Sequence, residues 1–266
     1  LQTVQAMLPV LVRDEMRGEN NEEDIFGEPN ELAAVPDADF ESIWRLLMVR
    51  LLAHENYRQL FRDAYPEVPQ DELHFSHAAE GLAHFIEVAF TVRGSPLDGY
   101  LGGDDTAMTD KEKRGALLFF GDAKCGYCHG GPRLTDDTLH NLGVRPITRG
   151  PSDRQFVDLG AAHRSHGGQT ERFAFRTPSL HHVAATGPWM HNGAYTTLVE
   201  AVVHHLDYEV GLRTYDRSQL APEFRREVHR SAEVLDDVAA TITTADGRPV
   251  RALSAIEVDE IVSFLE

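Results

Sequence analysis

Cys125 and Cys128 are the only two cysteines of this 266-residue chain, and His129 directly follows the second in the run Cys125, Gly126, Tyr127, Cys128, His129. Two thiols three positions apart can each add across one vinyl group of a porphyrin. The adjoining imidazole then falls beneath the iron as its proximal ligand, which is the arrangement for covalent attachment of a c-type haem. Two other chemistries use such a pair. A thioredoxin-like redox couple wants a βαβ pattern around it, whereas Lys111 to Asp122 reads as helix. A structural zinc site wants two further ligands, which could come only from the 14 histidines or a carboxylate.

The elements that must position these groups read mostly as helices. Thr109 with Glu112 forms a capping box, and Ala116, Leu117 and Phe120 give an apolar face running toward the cysteines. The stretch from Gly130 to Thr177 reads mostly as loop, long enough to wrap a cofactor. Thr197 with Glu200 caps another helix, on which Leu198, Ala201, Val202 and His205 share one face while His204 is turned about 100° away. Ser254 with Glu257 opens a terminal helix with the stripe Val258, Ile261, Val262 and Leu265.

In the first part of the chain, Arg17 to Glu31 reads as loop. Phe40 to Ala64 carries apolar residues at Ile43, Leu46, Leu47 and Leu51 and predicts one or two helices that stop before Pro66. Ser76 to Val92 predicts another, with Ala78, Leu82, Phe85, Ile86 and Ala89 on one stripe. Gly94 to Asp105, rich in Gly, Pro and Asp, reads as the seam between two domains, 1–104 and 105–266.

Lys and Arg total 25 against 43 Asp and Glu, a net charge of −18 that argues against a nucleic-acid partner. The acidity serves solubility, and a local patch of it could dock a basic redox partner. No run of about 18 apolar residues exists, so no membrane-spanning helix is expected. No signal peptide is visible, and the chain opens on Leu1 rather than Met, so removal of an upstream leader or larger segment is expected. Covalent haem attachment implies a periplasmic or otherwise extracytoplasmic location.

The sequence after the cysteines resembles the C-terminal half of the bacterial dihaem cytochrome c peroxidases and their MauG-like relatives. The resemblance is carried by Gly131 to Asp136, by His140 to Val144, by Phe175 to Leu180, by Ala185 to Gly193 and by Thr197 to Glu200. Upstream, Ser95 to Leu101 resembles the family's segment between haem domains. The fold implied is mainly α, with cytochrome c-like haem domains of which the C-terminal one is complete and the N-terminal one partial. The family carries two haems, so this chain would hold one haem c. The second would belong to an N-terminal segment that precedes Leu1, together with the tryptophan usually found between the haems.

Roles follow from the resemblance residue by residue. Gln5, Pro9 and Glu15 match the family's residues over the peroxidatic haem. Glu15 would move a proton between the peroxide oxygens, Gln5 would orient peroxide or water, and Pro9 would shape the pocket. Thr186 and Pro188 would give backbone carbonyls to a calcium ion. The family's distal ligand of the second haem lies 17 residues after that proline, at His205, where the helical face also puts an imidazole. Met190 is the rival, with His191, His204 or an open position as further alternatives.

An imidazole pair lowers the iron's potential relative to imidazole plus thioether and favours a MauG-like mode in which two haems share oxidising equivalents. The implied function is reduction of hydrogen peroxide to water, with a small c-type cytochrome or cupredoxin as electron donor. The alternatives are a MauG-like oxidase acting on a partner protein and a non-enzymatic electron carrier. A homodimer is compatible with either enzyme.

Three departures from the family stand out. Ala123 occupies a position where some MauG-like enzymes place a tryptophan. His181 and His182 follow Leu180 where Arg and Asn are usual, so propionate contacts should differ. The insert from Asp207 to Arg251 carries no assigned chemistry, and its His229 reads as a surface residue.

Overall fold

A computed structural model describes residues 2–23, 27–90, 94–147, 157–164, 171–243 and 250–266. The fold is mainly α, and among the described residues the only strands are the two-residue antiparallel pair β1 (Leu139–His140) and β2 (Phe175–Arg176). The chain divides into two compact units, Leu1–Thr91 and Val92–Glu266.

The first unit holds α1 (Gln2–Met7), α2 (Phe40–Leu52), α3 (Glu55–Ala64) and α4 (Phe75–Ala89). Its core gathers Val10, Met48, Leu73 and Phe75. Between α1 and α2 the chain makes a 3-10 turn at Pro9–Leu11 and a π turn at Arg13–Arg17. The Arg17 guanidinium is 1 % exposed and donates to the Leu32 carbonyl and to Asp37, which also accepts from Arg13. These bonds anchor a loop too polar to be held by apolar burial.

The stripe expected to be the apolar face of α4 turns out to be open. Phe75, Ala79 and Ala83 are buried, while Leu82, Phe85 and Ile86 are exposed. Small alanines let α1 approach on their side, and hydrophobicity alone did not reveal that choice. The expected end of this helix at Val92 lies outside the described residues.

The second unit holds α5 (Pro96–Leu101), α6 (Asp110–Phe120), α7 (Ala161–Arg164), α8 (Leu198–Leu206), α9 (Tyr208–Thr214), α10 (Ala232–Ala239) and α11 (Ala255–Leu265). The segment read as a seam contains α5, whose first turn is closed by Ser95 and Asp98. The capping boxes of α6 and α11 are both formed, and Thr197 accepts from the Glu200 amide at the start of α8.

Helices α6 and α11 pack around a core of Phe119, Val202, Val258 and Ile261. The buried face of α6 is Gly115 and Phe119, while Leu117 and Phe120 are exposed. The apolar face expected at Ala116, Leu117 and Phe120 is therefore rotated from the buried one, because close approach to α11 selects the glycine side.

Candidate functional site

Cys125 to Tyr127 forms a single 3-10 turn, closed by the Cys128 amide donating to the Cys125 carbonyl, which also accepts from the His129 amide at 2.9 Å. Side chains three apart eclipse in such a turn, so both thiols come to one side. Gly126 is needed there because a Cβ would stand 2.6 Å from the Phe120 ring. The two cysteines are free thiols and both line a cavity of about 710 Å³.

His129 and His205 line the same cavity, with ring centres 6.4 Å apart and planes inclined by 60°. Each ring is fixed through its Nδ1. That of His129 donates to the Leu134 carbonyl at 3.0 Å, and that of His205 donates to the Ala201 carbonyl at 2.7 Å. A carbonyl can only accept, so in both rings Nε2 keeps its lone pair. Hydrogen bonds of this kind orient histidines as metal ligands. Burial, reinforced by His205, pushes the His129 pKa down to about 4, and burial lowers that of His205 as well. Both are therefore neutral and able to ligate at neutral pH.

These residues fit a haem. A metal–imidazole bond of about 2 Å and roughly 1 Å from ring nitrogen to ring centre, taken on both sides of one iron, give about 6 Å between ring centres. The cavity is mostly apolar, lined by Phe173, Val183, Trp189, Val202 and Ile261 among others. The alternatives fare worse. Burial pushes the Cys125 thiol up to about 12, the reverse of what a redox couple needs, and no βαβ unit exists among the described residues. Three possible metal donors, Cys128, Asp136 and His140, do lie within 4.8 Å of one another, but that group holds only one of the cysteines. In it, His140 and Thr138 hydrogen-bond to Asp136 and hold its carboxyl well below the usual range although burial opposes this.

The other sequence-predicted residues are placed as follows. Met190 lines the cavity, as do Thr186 and Pro188, which lie on an exposed turn after Val183. His191 stacks on Phe175 with ring centres 3.5 Å apart. His204, turned away from the His205 face, is also buried at 2 % exposure, because α8 is covered on two sides. Both its nitrogens are engaged, with the Tyr195 hydroxyl and the Leu142 carbonyl, so it has none left for a metal. In the first unit, Gln5 is exposed on α1, Pro9 opens the 3-10 turn and Glu15 is exposed in the π turn.

Sequence reasoning missed three things. The insert from Asp207 builds part of the cavity wall through Tyr208, Ala239 and Ile242. His229 is half-buried, and its carbonyl accepts from the buried Arg145 guanidinium at 2.7 Å. Asn141 is 2 % exposed and ties the loop after β1 to the end of α10. A motif of neighbouring His, Asn and Gly was visible, but not the insert that it grips.

The helical fold, the Cys, Cys, His turn and the facing imidazole define the cytochrome c-like class of architecture. No family model matches the chain. It is 34 % identical over 161 residues to the methylamine utilization protein MauG of Methylorubrum extorquens, a match covering 60 % of this chain and 42 % of that one. It is 32 % identical over 172 residues to the cytochrome c peroxidase Ccp of Escherichia coli, covering 63 % and 34 %. The diheme peroxidase BthA of Burkholderia thailandensis shares the fold with a TM-score of 0.60 at 20 % identity, over 99 % of this chain and 62 % of that one. The chain thus spans less than half the length of the two curated relatives. It fits the family of MauG and the bacterial dihaem cytochrome c peroxidases.

Proposed function

We propose that this chain is part of a dihaem peroxidase that reduces hydrogen peroxide to water. The observation that carries the reading is the pair of neutral imidazoles, 6.4 Å apart, across a cavity walled by two free thiols. Cys125 and Cys128 would attach one haem c, with His129 as proximal and His205 as distal ligand. A haem held there supplies a one-electron couple between an external donor and the peroxide site. The similarity to cytochrome c peroxidases supports that use.

The chain's own residues supply the rest. His129 and His205 keep Nε2 free through their Nδ1 bonds, and the apolar wall keeps water from the redox centre. On the first unit, read as the partial peroxidatic domain within 1–104, Glu15 carries a proton between the peroxide oxygens. Gln5 orients peroxide or water by hydrogen bonding, and Pro9 shapes the pocket. Thr186 and Pro188 offer carbonyls to calcium. A small c-type cytochrome or cupredoxin is the donor, and the location is extracytoplasmic. Among the described residues no helix is long and apolar enough to cross a membrane.

A second reading, MauG-like oxidation of a partner protein, is favoured by the MauG relatives and by imidazole in place of a thioether. A pyridine haemochrome count and peroxide turnover on the intact protein test the proposal. Two haems and turnover with a small donor are expected. One haem without turnover would leave only an electron carrier, whereas two haems that consume peroxide only with a protein substrate would favour the MauG-like reading.

A further inference from the structure

Behind the cavity-facing side of α8 lies a connected set of aromatic groups that the proposed reaction does not use. The Nε2 of His204 donates to the Leu142 carbonyl at 2.8 Å, so its Nδ1 carries the lone pair and accepts the 2.8 Å hydrogen bond of the Tyr195 hydroxyl. Tyr195 is 5 % exposed, and its ring centre is 5.1 Å from that of His204. The His204 ring is in turn 6.2 Å from His205. On its other side Tyr195 meets Tyr215, ring to ring at 5.5 Å and half-buried.

A buried phenol cannot easily ionise, because its anion loses solvation. It can lose an electron readily only if its proton leaves at the same time, and that demands an acceptor already in place. His204 Nδ1 is such an acceptor, and the ring series connects it to the ligand of the metal.

We propose that Tyr195 is a redox-active tyrosine, giving one electron to the haem held by His205 once peroxide has oxidised that haem. Its phenolic proton crosses the hydrogen bond to His204 Nδ1. In this step the haem centre is reduced by one electron and Tyr195 is oxidised to a neutral phenoxyl radical, as its O–H bond breaks and an N–H bond forms on His204. When the electron donor reduces the radical, the proton returns. Tyr215 extends the route from the cavity side toward a partly exposed tyrosine. The inference rests on the peroxide-reducing reading above.

The test is freeze-quench electron paramagnetic resonance on the haem-loaded full-length protein after peroxide, with haem oxidation followed optically in the same samples. A tyrosyl signal is expected that narrows on ring-deuteration of tyrosine, is lost in Tyr195→Phe and survives in Tyr208→Phe. An oxidised haem with no tyrosyl signal, or with one that persists in Tyr195→Phe, overturns the inference and leaves the peroxide reading standing. If peroxide leaves the haem unoxidised, it is the peroxide reading that fails, and flash oxidation with a ruthenium polypyridyl photo-oxidant then decides whether Tyr195 is the residue oxidised.

Should Tyr195→Phe lose its haem spectrum through misfolding, nitrogen-isotope labelling of histidine in the unmutated protein serves instead. A nitrogen coupling on the tyrosyl signal supports the Tyr195–His204 bond, and its absence refutes it.

Discussion

Gly115 on α6 faces the backbone carbonyl of Glu260 on α11 so closely that a Cβ built on it would stand 1.9 Å from that oxygen. That oxygen belongs to the backbone, so the clash cannot be relieved by a rotamer change, and the two helices must separate. Both helices contribute to the haem-cavity wall, through Phe119 and Ile261. Gly115→Ala is expected to cost about 1–3 kcal/mol as overpacking. At about 2–4 °C per kcal/mol for a unit of this size, thermal unfolding should show a fall of several degrees. An unchanged midpoint would mean that the helices do not cross at this contact.

Asn141 should matter for stability rather than chemistry. Its amide donates to the Val238 carbonyl at 2.8 Å and to Thr241 at 3.0 Å, and its oxygen accepts from the Gly143 amide at 2.8 Å. Asn141→Ala strands buried polar partners and should cost about 1–3 kcal/mol. In denaturant the midpoint should drop with the slope unchanged. A drop confined to haem retention, with full stability, would refute the anchoring role.

The pH dependence of the second unit should carry a mark from Glu257. Arg251 donates to its carboxylate at 2.6 Å and the Ser254 amide donates at 2.7 Å, holding its pKa down to about 2. The unfolded value of about 4.3 is higher, so the unfolded chain takes up the proton first. The stabilisation is therefore fully present above the unfolded pKa and is lost as pH falls toward the folded one. Glu257→Gln should flatten the stability profile between about pH 4.3 and 2, and a profile with the parent slope would exclude this group.

Where chemistry and local pattern coincide, the sequence was legible. The boxes at Thr109 and Ser254 form as expected, and the stripe of Leu198, Ala201, Val202 and His205 does present an imidazole to the cavity. The illegible parts depend on partners distant in sequence. Which side of α4 or α6 is buried depends on how closely another helix approaches, not on where the largest apolar residues fall. The Tyr195–His204 bond and the Asn141 anchor join segments through the tertiary fold. The wheel position of His204 alone could not show that a second layer of aromatic side chains covers α8.

Glu15 offers a test confined to the first unit. Glu15→Gln keeps the size of the side chain and removes its ability to carry a proton. Peroxide turnover of the intact protein should fall by about 10²–10⁴-fold, the usual worth of a general acid–base group, with haem content unchanged. Undiminished turnover would remove Glu15 from the mechanism.

The imidazole pair makes the sharpest spectroscopic prediction. His205 is held from Ala201, four residues back on the same helix, so its orientation is set by α8 itself and survives changes elsewhere in the cavity. His205→Met replaces a strong nitrogen donor by a thioether, which favours ferrous over ferric iron. In the haem-loaded protein the low-spin spectrum should change to that of mixed imidazole and thioether ligation, and the reduction potential should rise. His205→Ala should give a high-spin or ligand-exchanged iron, because His204 has both nitrogens committed and cannot take over. Met190 also lines the cavity, so Met190→Leu is the necessary companion. If Met190→Leu changes the spectrum and His205→Met does not, the distal ligand is the thioether and the imidazole pair is incidental.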